Sequence, residues 1–132
     1  MNKKSLITIL FIFLAGCAGS PVRISMLSPQ ELKAENAWNL CGAYAHGHSE
    51  KVKAELVRRG EIPDDEWPLI EQNKIRIGMS EFGLVCSWGG AYRINETVGS
   101  WGVHKQWVYR ACRSCSAQYV YTENGKVSSW QN

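Results

Sequence analysis

The sequence predicts an α+β fold in which an N-terminal helical hairpin precedes two short helices packed on a three- to four-stranded antiparallel meander. Residues 28 to 60 repeat apolar side chains at helical spacing between capping residues, and residues 61 to 90 hold two shorter segments of the same kind. After Tyr92, β-branched and aromatic residues recur between turn residues, with Asn124-Gly125 as a two-residue hairpin turn. At 132 residues, 45% hydrophobic and 20% charged, the chain fits one folded domain and lies outside the disordered class.

Met1 to Lys4 is a short basic stretch followed by the apolar run Leu6 to Leu14. That run is too short to cross a hydrocarbon core of about 30 Å, which needs roughly twenty helical residues, so residues 1–16 read as a signal peptide. It ends in Leu14-Ala15-Gly16-Cys17, a motif that resembles the lipobox of bacterial lipoproteins. The resemblance implies cleavage before Cys17, a diacylglycerol thioether on its sulfur and acylation of its amine. In that class Asp after the lipidated cysteine retains the protein in the inner membrane. Ala18 stands there instead, which implies an anchor in the outer membrane and a domain facing the periplasm. Residues 17–27, with Gly, Ser and Pro, read as the lipidated cysteine and its tether.

The helical hairpin is expected over residues 28–60. Ser28-Pro29-Gln30-Glu31 combines an N-cap serine, a proline at N1 and a capping-box glutamate, opening a helix that should run to about His46. Ala34, Ala37, Trp38, Cys41, Tyr44 and Ala45 form its apolar stripe, and Gly47 ends it. Ser49 caps a second helix from Glu50 to Arg59, with Val52 and Leu56 inward, Glu55 and Arg59 paired on the wet side, and Gly60 as the stop. Residues 61–132 form the α+β core. Asp64, Asp65 and Glu66 place negative charge at the start of a short helix carrying Trp67, Leu69 and Ile70. Ser80 caps another, on which Phe82, Val85 and Cys86 share a face.

Strands are expected over Tyr92–Val98, Val103–Ala111, Ala117–Glu123 and Lys126–Gln131. An unbulged hairpin at Asn124-Gly125 would place Glu123 opposite Lys126, Tyr121 opposite Ser128 and Tyr119 opposite Trp130. Trp107 and Tyr109 then share one strand face, and Tyr119, Tyr121 and Trp130 share one face of the hairpin. Aromatic rings bury the most area, so these five are expected to face the helices; the other outcome is an exposed platform that binds a partner.

Gly78-Met79-Ser80 opening a helix, the Trp107-x-Tyr109 strand and the polar-Gly hairpin Glu123 to Val127 resemble the SmpA/OmlA family of small outer-membrane lipoproteins. Roughly half the mature chain carries the resemblance. It implies a non-enzymatic protein-binding module associated with the β-barrel assembly machinery. The family's helix-closing Leu-Gly-x-Pro stands here as Trp88-Gly89-Gly90-Ala91, and the helical hairpin and four mature cysteines are additions.

Those four, Cys41, Cys86, Cys112 and Cys115, are an even set for an oxidising compartment, and the expected pairing is 41–86 and 112–115. The turn expected at Cys112-Arg-Ser-Cys115 brings its ends within disulfide reach. Zinc would need two further ligands from His46, His48 or His104, whose spacing does not supply them, and no catalytic constellation emerges. Net charge is +3, of which Lys3 and Lys4 carry two, and no basic stripe for nucleic acid remains. The expected function is therefore docking on an envelope protein, without cofactor or catalysis. The alternatives are thiol–disulfide exchange through Cys112 and Cys115, or inhibition of a cell-envelope enzyme.

Overall fold

A computed structural model describes residues 19–131. Cys17 and the segment expected as a signal peptide lie outside the described residues. The described chain is α+β, with a four-stranded antiparallel sheet in the order β1-β2-β3-β4 and several short helices against one face. The strands are β1 (Arg93–Gly99), β2 (Gly102–Tyr109), β3 (Gln118–Glu123) and β4 (Lys126–Gln131).

Most of the expected tether is instead a helix, α1 (Pro21–Met26). Pro21 at its first turn pre-sets the backbone, and Ile24 is 0% exposed in the main core. The single long helix expected from Ser28 is broken in two, α2 (Pro29–Leu32) and α3 (Ala37–Gly47). Ser28 makes the full capping box with Glu31, but Asn36 starts a second helix by accepting from the Asn39 amide at 2.8 Å. The break lets Leu32 and Leu40 both reach the core, while Ala34 and Trp38, expected inside, are exposed. Gly47 closes α3 as the last helical residue, but the left-handed residue is His48, at φ 48°.

Helix α4 (Glu50–Arg59) begins after Ser49, whose side chain makes no cap hydrogen bond, and ends at Gly60. Val52 and Leu56 point inward as expected. Glu55 is a correction, because its carboxylate is buried and accepts from both Arg58 and Arg59. Arg59 Nη2 also donates to the carbonyls of Leu32, Lys33 and Glu35, closing the end of α2 onto α4. Carbonyls left open where α2 stops attract the planar guanidinium inward.

A 3-10 turn (Asp64–Glu66) leads into α5 (Trp67–Ile70). The acidic cluster is not all dipole compensation: Glu66 is buried and accepts from Ser80 N at 2.8 Å and Ser80 Oγ at 2.6 Å. Ser80 caps α6 (Glu81–Trp88), its hydroxyl accepting from Gly83 N at 2.9 Å. The residues entering α6 lie along β4, with Gly78 N donating to Val127 O and Val127 N to Met79 O. That pairing fixes α6 across the sheet.

Asn124 and Gly125 both have positive φ, 48° and 82°, as a type I′ turn requires. Glu123 opposes Lys126, but a bulge between Tyr121 and Thr122 moves the rest of the register. Tyr121 pairs with Ser129, Tyr119 with Gln131 and Val120 with Trp130, correcting the two expected pairings. A one-residue shift turns side chains to the opposite face, so Trp130 leaves the face of Tyr119 and Tyr121. Trp107, Val120 and Val127 meet the helices, and Tyr109 packs against the same core.

Candidate functional site

Strand β1 pairs with β2 along its whole length and, among the described residues, has no strand on its other edge. Every residue from Arg93 to Val98 is exposed, unlike the covered end of β2. The β1–β2 hairpin projects past the helices and carries Val98 and Trp101 at its tip, 68% and 65% exposed. The Trp101 ring lies against Gly99, where a Cβ would meet it at 2.1 Å. A glycine opposite a ring lets the indole lie flat on the backbone.

Where β1 and β2 run back toward the helices, an open groove of about 610 Å³ separates them from α3 and α6. Ile94 and Trp107 are register partners and form one wall; Trp38 of α3 and Val85 of α6 form the other. Trp38 packs against Phe82 at 4.2 Å between centroids and lies 6.3 Å from Trp107. Gly19 and Pro21 line the same groove. Lys105 reaches it too, but its ammonium donates to Glu81 Oε2 at 2.8 Å and lies 3.7 Å from Glu96. The groove is mainly apolar, with Asn39 also lining it, and its cation is already matched by carboxylates.

The five aromatic residues expected to act together are divided. Trp107 is buried, and its indole N–H donates to Thr122 Oγ1 at 3.0 Å. Tyr109 donates to Gly89 O at 3.1 Å and meets the Trp88 ring edge-on, and burial pushes its phenol pKa up. Of these two only Trp107 lines the groove. Tyr119 and Tyr121 are half-buried on the other face of the sheet, where Tyr121 stacks with His104. Trp130 is exposed on β4. Trp38, Ile94, Val98 and Trp101 add exposed apolar surface along the groove and the hairpin tip. Trp101 left a sequence signal, since a tryptophan in the hairpin turn Gly99-Ser100-Trp101-Gly102 has no strand face to bury it. Trp38 did not, because its place in the helical stripe suggested the core.

No family model, curated protein or solved structure matches the chain.

The disulfides are Cys41–Cys86, joining α3 to α6, and Cys112–Cys115. The second closes a turn in which Cys115 N donates to Cys112 O at 3.1 Å, between β2 and β3. Cys112 thus sits on a strand connection and not at a helix N-terminus, the setting that lowers a thiol pKa. Among the described residues there is no cluster of three or more His, Cys, Asp or Glu side chains able to hold a metal ion. No described helix is long and apolar enough to cross a membrane.

Proposed function

We propose that the chain is a lipid-anchored, non-enzymatic module on the periplasmic face of the outer membrane, where it binds another envelope protein and supports envelope integrity. The partner belongs to the β-barrel assembly machinery. The observation that carries the reading is the free edge of β1 beside the exposed tip residues Val98 and Trp101. An open strand edge offers backbone hydrogen bonds to an extended segment, and adjacent apolar side chains give it selectivity. The lipobox at Cys17 and the SmpA/OmlA-like motifs Gly78-Met79-Ser80, Trp107-x-Tyr109 and Glu123 to Val127 support the location and partner class. An anchor confines the search to the membrane plane and raises effective concentration.

The test is photo-crosslinking in intact cells from a reactive residue placed at Trp101, with Val57 on α4 as a distant exposed control. Capture of an assembly-machinery component from position 101 and not from 57 is the expected result, and Val98→Asp should abolish it. Capture of a cell-wall enzyme would transfer the protein to the inhibitory class. If Cys112→Ser altered client disulfides while crosslinking found no envelope protein, redox exchange would replace docking.

A further inference from the structure

We infer that the groove between Trp38 and Ile94 is the seat of an acyl chain carried by Cys17 of the same molecule. The inference rests on the lipid-anchor reading above and adds an occupant for the groove. Its first support is where the described chain begins. Gly19 lines the groove, and Cys17 is two residues earlier in sequence. Two residues span at most about 7 Å, so the groove lined by Gly19 is within reach of a lipid on Cys17.

The lining chemistry selects the tail over a headgroup. Trp38, Val85, Ile94 and Trp107 present apolar walls. Gly42 of α3 faces the space without a side chain, and a Cβ built there meets nothing within 4 Å. The cation at the rim, Lys105, is engaged by Glu81 and Glu96, which leaves a lipid phosphate without a counter-charge. A tail tethered beside the groove calls for no such counter-charge. Tethering also makes occupancy intramolecular, so the tail needs no encounter from solution.

The experiment uses the full-length chain, lipidated in cells and reconstituted in vesicles of fully deuterated phosphatidylethanolamine and phosphatidylglycerol. A photo-reactive residue replaces Ile94, with Val57 as the control position. After photolysis and digestion, mass spectrometry should find the residue-94 peptide joined to the Cys17 peptide through an undeuterated acyl chain. Gly42→Phe fills the groove and should reduce that adduct to the level at Val57, with circular dichroism confirming an intact fold. A deuterated lipid at position 94 makes the bilayer the occupant, and a crosslink to another protein or to unacylated peptide makes the groove a polypeptide site. Either result, no adduct at all, or an adduct that survives Gly42→Phe overturns the inference. The same digest reports the mass of the Cys17 peptide: an acylated Cys17 without the adduct sinks this inference alone, whereas an unmodified Cys17 removes the anchor itself.

Discussion

Thr122 Oγ1 donates to Glu81 Oε1 at 2.7 Å, tying the C-terminal end of β3 to the first turn of α6. The same hydroxyl accepts from Trp107 Nε1 at 3.0 Å, and Lys105 donates to the other oxygen of Glu81 at 2.8 Å. Four side chains from two strands and a helix thus share one largely buried polar chain that reaches the groove at Lys105 and Trp107. Each member restrains the next, because a buried donor or acceptor without a partner is costly.

Thr122→Val keeps the shape and removes the link. Trp107 loses its acceptor and Glu81 one donor, so unfolding free energy should fall by about 1–3 kcal/mol. Urea denaturation of the two proteins measures it, and coincident midpoints would refute the role given to Thr122.

Acid should weaken the α2–α4 contact. Hydrogen bonds from Arg58 and then Arg59 hold the Glu55 carboxyl at about 2, against an ordinary value of 4.5. A folded-state value below the unfolded one gives stability that is complete above about 4.5 and is lost as pH falls toward about 2. Glu55→Gln should therefore be less stable at neutral pH and show a shallower loss across that window. Glu31 and Glu35 are also lowered, so part of the acid response should persist. Thermal melts between pH 7 and pH 2 test the difference in slope.

The disulfides should differ in reactivity and in weight. Cys41 and Cys86 are fully buried and close a sequence separation of 45, whereas Cys112 is exposed and its bridge spans a separation of 3. By chain entropy, the long loop contributes about 4 kcal/mol and the short one about 2 kcal/mol. Mild reductant should open 112–115 first, with the fold retained, as read by alkylation and mass spectrometry. Simultaneous opening of both bridges would contradict this order.

Two glycine substitutions should act in opposite directions. A Cβ on Gly83 would meet Glu66 Oε2 at 2.1 Å and Met79 Cγ at 2.8 Å, while one on Gly42 meets nothing within 4 Å. Glu66 cannot withdraw without breaking its hydrogen bonds to Ser80. Gly83→Ala should destabilise by about 1–3 kcal/mol through overpacking. Gly42→Ala should stabilise by about 0.5–1 kcal/mol through helix propensity. Melting temperatures moving the same way for both would contradict this packing.

The features legible in the sequence were those that close within a few residues. Ser28 with Glu31, Ser80 with Gly83, the left-handed Gly60 and the Asn124-Gly125 turn all follow from local hydrogen bonding and allowed φ, without knowledge of distant neighbours. The α+β class and the strand order of a meander follow from the same short-range signals. Tertiary packing decided the rest. Ile24 turned an expected tether into a helix because the core had room for it, and Arg59 went inward because α2 stopped early and left carbonyls open. The β2–β3 register set Trp107 opposite Val120 and so put Tyr119 and Tyr121 on the other face, and the bulge after Tyr121 moved Trp130, since a single extra residue reverses which face the rest of a strand presents. Hydrophobic side chains show in a sequence as candidates for burial, but which of them remain in contact with water depends on where a sheet outgrows its helices. That overhang is what left Val98 and Trp101 exposed, while Ile94 borders the open groove.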